Sequence, residues 1–355
     1  MHLKFVELLA CPESGDPLTC EVEAMHGDRV RSGKLLRSDG KSYPIVEFVP
    51  RFVAAKNYCD SFSLEWELHP DILYKADSKY DVYDKRFRAE TKWEEDLTGE
   101  LILEAGCGPG AMTEIALARG ATMVAIDMST SIQNVSARMG DNPNLLCVQG
   151  DILHLPFRDE AFDKAFCLGV LQHTQSPSDA FRQIVSKLKP GGKVGTDIYG
   201  TPENDRLLKH RYFARRFTAG RDPKKLHKLI KAYVALMWPV RTVLNDFVPF
   251  GRTINRWMLF DDFEKRLGSI DRKRDKEFAV LDLFDGLAST YDAPQTPEGL
   301  RRWFEECGME DIEVNFGYNG VEGRGTRRAT PVSAAKHPSN GVARGTLADA
   351  SNSRV

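Results

Sequence analysis

The residues of this chain that could do chemistry begin with a glycine-rich turn and an acid that follows it. Gly106, Gly108 and Gly110 come after a short apolar run, and Asp127 ends the next apolar run along the chain. Glycine lets the backbone turn sharply and lets a ligand approach where a Cβ atom would collide. The first N–H groups of a helix after such a turn favour a negative group. A carboxylate at a strand end can accept hydrogen bonds from ribose hydroxyls, so the pattern predicts a nucleotide site.

The elements that must position these residues are a strand, a helix and a second strand. Residues 101–103 are apolar and too few for a helix, whereas 112–117 place apolar side chains on one helical face. Gly120 ends that helix, and 122–126 form the second apolar run. Strand, turn, helix and strand open a doubly wound sheet. An NAD site has the same parts, but its Gly-x-Gly-x-x-Gly spacing needs a glycine at the position of Ala111.

Between residues 144 and 200 the chain carries motifs that are specific to one family. They are Gly-Asp-Ile at 150–152, Leu-Pro-Phe at 155–157, Phe-Asp at 162–163, Leu-Gly-Val at 168–170 with His173, and Leu-Lys-Pro-Gly-Gly at 188–192. With the glycine turn, they resemble the class I S-adenosylmethionine-dependent methyltransferases of the type 11/25 group, from Leu101 to Tyr199 without a gap. The resemblance implies an α/β fold with a doubly wound, seven-stranded, mostly parallel Rossmann-like sheet in the order 3-2-1-4-5-7-6.

The resemblance also implies S-adenosylmethionine as the cofactor and assigns its contacts position by position. Glu104 is expected near the methionine amino group, Asp127 on the ribose hydroxyls and Asp151 on the adenine amine. Two alternatives stay open, because Asp127 could cap the following helix, 129–137, and Asp151 could form a turn. The other expected cofactor-binding residues are Gly106, Cys107, Gly108 and Gly110 in the turn, Met128 and Ile152 at the adenine, and Leu168 and Gly169 beneath the methionine portion.

The expected catalytic residues are His173, Tyr199 and Tyr291. Methyl transfer is an in-line displacement at an activated carbon, so alignment can supply most of the catalysis. A base is needed only where the nucleophile arrives protonated, and His173, just beyond strand four, is the candidate base. The family also uses such a histidine to organise a loop or to cover the cofactor. Tyr199, near Asp197 at the end of strand five, could orient an acceptor hydroxyl or could simply pack.

An insertion of about 201–294 follows strand five; we expect it to be mainly helical and to form an acceptor cap. Its first part is basic, and apolar residues recur at helical spacing from Leu226 until Pro239 and Pro249, which are expected to break the run. Such a stretch suits a membrane surface or a phosphate-bearing lipid, an anionic acceptor including RNA, or an ordinary cap with a solvated rim. Its last part brings polar residues to the catalytic mouth, namely Asp282, Asp285, Asp292 and Tyr291, the second candidate for acceptor contact.

Residues 1–55 are expected to form a separate small β-rich module. Its strand and turn patterns resemble the zinc-ribbon-like domain that activates several RNA and protein methyltransferases. The metal form needs Cys-x-x-Cys, but Ser14 follows Cys11 at that spacing, and no cysteine lies near Leu36. Because one thiolate gives tetrahedral zinc no ligand set, the expectation is a metal-free scaffold packed on the catalytic domain.

Three further parts complete the expected organisation. An aromatic-rich segment, 56–100, covers the cofactor as a lid or docks the first module, and Phe62 and Trp66 suit both roles. The S-adenosylmethionine-binding domain spans 101–326. The tail, 327–355, is rich in small and polar residues and is expected to be disordered.

Composition sets broad limits on function. The 355-residue chain has a formal net charge of −2 and seven cysteines. This balance gives no global signal for nucleic acid and favours a cytoplasmic location, with contact at the inner membrane face through the insertion as an open addition. We therefore expect a methyltransferase that acts, without a metal, on an oxygen of a small, sugar or lipid-linked acceptor. The alternatives are an RNA (tRNA) methyltransferase, a non-catalytic S-adenosylmethionine-binding scaffold and an NAD-dependent reductase.

Overall fold

The N-terminal part of the chain is a small antiparallel sheet. The computed structural model describes residues 1–54, 57–69, 82–201, 206–255 and 272–329, so the tail predicted to be disordered lies outside the described residues from 330 onward. A short 3-10 helix, Leu3–Leu8, precedes the first strand. The strands are β1 (Thr19–His26), β2 (Arg29–Leu36), β3 (Ser42–Val46) and β4 (Val49–Pro50), and they pair in that order.

A seven-stranded sheet forms the centre of the molecule. Two helices lead into it, α1 (Asp60–Leu68) and α2 (Val82–Thr91). Its strands are β5 (Leu101–Ala105), β6 (Thr122–Asp127), β7 (Leu145–Gln149), β8 (Phe162–Cys167), β9 (Leu188–Ile198), β10 (Met309–Gly317) and β11 (Gly320–Arg327). The spatial order is β7-β6-β5-β8-β9-β11-β10. Strands β5 to β9 pair in parallel and β11 pairs antiparallel with both neighbours, which confirms the predicted order 3-2-1-4-5-7-6.

Helices cover both faces of this sheet. They are α3 (Ala111–Ala118), α4 (Ile132–Met139) and α5 (Pro177–Lys187), followed after the insertion by a helix at Pro297–Glu306. Strand β5 is apolar on both sides because Ile102 joins one buried cluster and Leu103 joins the other. Near-continuous apolar runs of this kind are typical of parallel strands with covered faces. The side chains that could do chemistry therefore follow the strands, at their carboxyl ends.

The insertion leaves and rejoins the core at one point, where Gly200 and Gln295 form a parallel bridge. It is mainly helical, as predicted, with α6 (Arg206–Thr218), α7 (Pro223–Phe247), α8 (Gly251–Asn255) and α9 (Arg272–Ala288); the helix at Pro297–Glu306 is then α10. Its buried cluster includes Ile230 of α7, Phe284 of α9 and Leu64 of α1. The aromatic segment before the sheet and the insertion thus share one apolar core.

The prediction that Pro239 breaks the helical run is wrong, because α7 continues through it to Phe247. A proline inside a helix removes one hydrogen bond and costs about 3 kcal/mol. Tertiary contacts anchor the helix on either side of this position. Val234 is completely buried before it, and Arg241 after it forms an ion pair of 2.9 Å with Asp275 of α9. Pro249 lies between α7 and α8, as its helix-breaking character predicts.

The N-terminal sheet packs directly on the central domain. The backbone N–H of Ala10 donates to the carbonyl of Pro156 at 3.0 Å, and that of Phe52 donates to Gln149 at 2.8 Å. Leu9 is completely buried in a cluster that also contains Phe157. Because Gln149 belongs to β7, the module covers one edge of the central sheet.

Polar contacts link the loops of the N-terminal module around Cys11. Its sulfur lies 3.1 Å from the Tyr43 hydroxyl and 3.6 Å from Arg37 Nη1, and Arg37 also donates to Ser14 Oγ at 3.1 Å. Burial raises the pKa of the Cys11 thiol, but hydrogen bonds with Ser14 and Tyr43 outweigh it and lower the pKa to about 7. In the described part of the chain, no three His, Cys, Asp or Glu side chains are grouped as a metal would require. None of the described helices has the length and apolar character to cross a membrane.

Candidate active site

A cavity of about 250 Å³ lies at the carboxyl ends of the central strands. Its walls come from the glycine turn after β5, from the ends of β6, β8 and β9, from α1 and α2, and from α9 of the insertion. Ligands of open α/β sheets bind at this edge, where the strand order reverses. Every expected cofactor-binding residue except Gly110 lines this cavity.

The glycine turn is shaped by close neighbours on both sides. Gly106 has a φ of +83°, and a Cβ atom built there would lie 2.5 Å from Val170 Cγ1. At Gly108 the nearest atoms belong to the ring of Trp66, 3.4 Å from such a Cβ. Gly110, at φ +92°, faces Val135 of α4 instead and begins α3. Glycine is therefore required for the turn itself, and Trp66 covers it from α1.

Asp127 ties the end of β6 to the glycine turn. Its Oδ2 accepts from the backbone N–H of Gly108 at 2.8 Å, and its Oδ1 accepts from Ser129 N at 2.8 Å and from Ser129 Oγ at 2.6 Å. Burial raises the pKa of Asp127, although these bonds oppose the rise. Helix α4 begins only after Ser131, so Asp127 holds the loop rather than capping the helix. Its carboxylate stays at the cavity wall.

Glu104 and Asp151 stand on either side of Asp127 in the sequence, and all three side chains reach the same cavity. Glu104 is 4% exposed, accepts a hydrogen bond from Thr113 Oγ1, and has its pKa raised to about 8, chiefly by burial. Asp151 Oδ1 accepts from Leu153 N at 2.9 Å and caps the short 3-10 turn that follows. The turn-forming alternative for Asp151 is therefore present, and it leaves the side chain at the wall.

On the acceptor side, His173 lies between two acceptors. Its Nδ1 is 3.1 Å from the carbonyl oxygen of Tyr291, and its Nε2 is 3.3 Å from Oδ1 of Asp285. The other oxygen of Asp285 accepts from the Tyr199 hydroxyl at 2.7 Å. The Phe62 ring centroid lies 5.1 Å from that of His173. His173, Tyr199 and Asp285 all line the cavity, so strands β8 and β9 and helix α9 meet at one polar cluster.

The two predicted tyrosines occupy different positions. Burial and the Asp285 carboxylate raise the pKa of Tyr199 well above its ordinary value, so its phenol is a neutral donor. The ring of Tyr291 does not belong to the described cavity wall. It packs edge-on against Tyr58 at 5.2 Å, while its carbonyl orients His173. Tyr291 therefore contacts the candidate base through its backbone carbonyl, and its contact with the acceptor stays a prediction.

Two wall residues are missing from the sequence prediction. Glu65 of α1 is 2% exposed, and its Oε2 accepts no hydrogen bond from the described residues. Burial and the nearby charges of Asp285 and Asp282 raise its pKa well above the ordinary range. The sequence places Phe62, Glu65 and Trp66 on one helical face, and this pattern partly indicates that Glu65 faces the same way as the two aromatic residues. A glutamate on a surface helix is usually exposed, so the pattern alone does not select Glu65 as a wall residue.

The second missing residue is Arg86 of α2. It donates through Nε to Glu90 at 3.0 Å and through Nη2 to Asp197 at 2.6 Å. Asp197, expected at the mouth, is completely buried and also accepts from the N–H of Gly169. This ion-paired group therefore fixes the loop after β8 on which the methionine portion of the cofactor is expected to lie.

Comparison with known proteins gives a match in the same region. Residues 103–195 match the family model described as a methyltransferase domain. A tRNA U34 carboxymethyltransferase of Desulfotalea psychrophila is 28% identical over 149 residues, 39% of this chain and 45% of that protein. A ubiquinone biosynthesis O-methyltransferase of Pseudomonas fluorescens is 33% identical over 105 residues, 28% of this chain and 44% of that protein. The chain thus spans less than half the length of these curated relatives.

Among solved structures, the phosphoethanolamine N-methyltransferase 2 of Haemonchus contortus, in complex with S-adenosyl-L-methionine, has a TM-score of 0.41. Its identity is 16%, and the alignment covers 77% of this chain and 48% of that one. The strand order, the glycine turn and the family match together define a class I methyltransferase domain in this chain, as its motifs predict. The match and the cavity point to S-adenosylmethionine as the cofactor of that domain.

Proposed function

We propose that this protein transfers a methyl group from S-adenosylmethionine to a hydroxyl oxygen of a small molecule that enters beneath the insertion. The observation that carries the proposal is that His173, Asp285 and Tyr199 lie at the same cavity as Asp127 and Glu104. One end of the cavity therefore has the groups that suit the cofactor, and the other has groups that can take and hold a proton.

The residues at the cofactor end fit S-adenosylmethionine, which supplies an activated methyl group when bound. Glu104 is a buried acid in the wall whose pKa is raised chiefly by burial and also by the nearby charge of Asp127, and an ammonium group beside it would favour its ionised form. Asp127 keeps lone pairs for a ribose while its backbone contacts fix its position. Trp66 covers the glycine turn and Phe62 lies beside His173, so α1 would exclude water from the reacting atoms.

The acceptor end has a defined route for a proton. A carbonyl oxygen can only accept, so in the neutral ring of His173 the proton sits on Nδ1, toward Tyr291 O, and Nε2 is free to act as a base. An acceptor hydroxyl bound beside Nε2 would give its proton to Nε2 as its oxygen attacks the methyl group. The Asp285 carboxylate, 3.3 Å from that nitrogen, would then stabilise the charge of the imidazolium. The Tyr199 hydroxyl holds the second oxygen of Asp285 in place.

The charges in the wall restrict the class of acceptor. Glu65 and Asp285 line this end of the cavity, and so does Asp282, which is paired with Arg211. The guanidinium of Arg86 is paired with Glu90 and Asp197. An acceptor moiety with a phosphate or carboxylate would meet acidic groups there. Aromatic side chains of α1 supply an apolar surface that suits an isoprenoid or a sugar face. We therefore assign a neutral, hydroxyl-bearing small or lipid-linked acceptor; the name of the Pseudomonas relative supports oxygen as the methylated atom.

RNA is the second candidate acceptor. The relative named as a tRNA U34 carboxymethyltransferase and the exposed lysines Lys224, Lys225 and Lys228 of the insertion favour it. In that case a single base would enter the cavity while the backbone phosphates stay outside on the basic surface. We further propose that the N-terminal module is a metal-free scaffold; the contacts of Arg37 and Tyr43 with Cys11 support this role.

The proposal is tested with purified protein, methyl-labelled S-adenosylmethionine and fractionated cell extract. We expect label in the small-molecule or organic-soluble fraction, and label that accumulates at least about 10-fold more slowly with the Asp285→Asn variant. Label in the RNA fraction would select the second candidate. Binding of S-adenosylmethionine by calorimetry with no labelled product in any fraction would favour a non-catalytic scaffold, and binding of nicotinamide nucleotides alone would overturn the assignment.

A further inference from the structure

Helix α7 has a second apolar stripe that does not face the protein core. The stripe consists of Leu229, Leu236, Val240, Val243 and Phe247, which are between 44% and 78% exposed. At 3.6 residues per turn these five positions fall within an arc of about 60°, and at 1.5 Å per residue they span about 27 Å. We call this surface the outer stripe. Its side chains form one continuous line along the helix.

The side of α7 that packs on the protein lies about 110° around the helix from the outer stripe. Leu226, Ile230 and Val234 are at most 4% exposed and lie in the cluster shared with α1 and α9. A surface helix normally has one apolar face toward the core and a polar face toward water. A long exposed line of large apolar residues on the polar side marks an interaction surface.

Charge and aromatic residues are placed unevenly along the outer stripe. At about 100° per residue Lys225 falls at the edge of the arc of the stripe and Lys228 about 60° outside it, and both side chains are exposed near the start of α7. At the other end, Phe247 is 78% exposed and Phe250, just after the helix, is 86% exposed. Basic residues beside an apolar, aromatic-tipped line are the pattern of helices that lie in the interface of an anionic bilayer.

We propose that the outer stripe docks this protein on an anionic lipid surface, with α7 parallel to the membrane plane. The apolar side chains would enter the boundary of the acyl chains, and Lys225 and Lys228 would pair with phosphate groups of the lipids. A lipid surface needs no matching shape. A second copy of this chain would present the same lysines, and no acid of α7 falls within the arc of the stripe; Asp246 lies about 60° outside it, at the same helix angle as Lys228.

Docking on lipid is a property beyond the proposed methyl transfer, and it would affect how the candidate active site lies relative to the lipid surface. The inner side of α7 packs against α9, and α9 carries Asp285 in the cavity wall. Docking through the outer stripe would therefore bring the acceptor end of the cavity close to the lipid surface.

The test is co-flotation of the full chain with vesicles of neutral phosphatidylcholine and with vesicles that also contain phosphatidylglycerol. We expect flotation with the anionic vesicles only, and release when the salt is raised from ~0.1 M to ~1 M because the Debye length shortens about threefold. The double variant Leu236→Glu, Val240→Glu should bind the anionic vesicles at least about tenfold more weakly, because it replaces apolar area that would be buried in the lipid by charge. Lys225→Glu, Lys228→Glu should also weaken it.

The matched control is Val22→Glu, Met25→Glu, two apolar residues of β1 that are 40% and 43% exposed. This control variant should float like the original chain. All variants should bind S-adenosylmethionine with unchanged affinity, so a loss of flotation can be distinguished from a loss of the proposed enzymatic function. No flotation of the original chain, equal flotation of the Leu236→Glu, Val240→Glu variant, or equal binding to neutral vesicles would overturn it. So would light scattering that shows a dimer which this variant dissociates, since the stripe would then join two copies.

Discussion

Asp285 brings one carboxylate oxygen to within 3.3 Å of His173 Nε2, although the two residues are far apart along the chain. His173 follows β8 of the central sheet, whereas Asp285 belongs to α9 of the insertion. The insertion therefore contributes a polar group to the reacting end of the cavity as well as covering it.

His173→Gln should slow methyl transfer by about 100-fold, because glutamine cannot take the proton of an acceptor hydroxyl. Binding of S-adenosylmethionine should change little, since the expected cofactor contacts come from other residues. Single-turnover rates with the identified acceptor, and calorimetry for the cofactor, measure the two effects. A decrease of less than about threefold in the transfer rate would show that His173 organises the loop and does not act as a base.

Asp285→Asn should also lower the transfer rate, by roughly 10-fold to 100-fold, because the imidazolium loses the charge that stabilises it. The matched control is Asp292→Asn. Asp292 accepts from the Tyr212 hydroxyl at 3.0 Å, outside the described cavity wall, and an asparagine oxygen can keep that bond. Equal losses in the two variants would show that the insertion acts only as a support.

Cofactor binding should release protons from Glu104. With a pKa of about 8 in the free protein, this acid is about nine-tenths protonated near pH 7, and an ammonium partner favours the ionised form. Affinity should therefore rise as the pH increases toward 8. Calorimetry in two buffers of different ionisation enthalpy counts the released protons; we expect close to one, and a much smaller number for Glu104→Gln. An equal number for both would show that Glu104 does not meet the amino group.

The N-terminal module should contribute to stability through its buried contact with the central domain. Leu9 is completely buried, so Leu9→Ala should lower the free energy of unfolding by about 2–5 kcal/mol. Leu3→Ala, at a residue that is 46% exposed, should change it by less than about 0.5 kcal/mol. Urea denaturation measures both. Equal, small effects would mean that the module is attached without sharing the core.

Much of the fold could be predicted because its signals are local. Short apolar runs that end in an acid or a glycine turn predict where the five parallel strands lie in the sequence. The family motifs predict the order of those strands in the sheet. The continuation of α7 through Pro239 could not be predicted, because it depends on anchoring contacts such as that of Arg241 with Asp275. Sequence patterns report the local cost of a proline and not the packing that offsets it.

The candidate site was predictable at the cofactor end and only partly at the acceptor end. Asp285 stands out in the sequence as a polar residue near the mouth, but its pairing with His173 depends on how the insertion folds back. Glu65 shares a helical face with Phe62 and Trp66, but this pattern alone does not select it, because an acid on a surface helix is usually solvated. Tyr291 was selected for its phenol, whereas the structure uses its carbonyl oxygen.

A crystal structure with S-adenosylhomocysteine tests most directly where the cofactor binds. We predict that the ribose hydroxyls lie on Asp127, the amino group lies near Glu104, and the sulfur points toward His173 Nε2. A nucleoside found outside the cavity between Asp127 and Asp151, or a sulfur directed away from His173 and Asp285, would contradict the account.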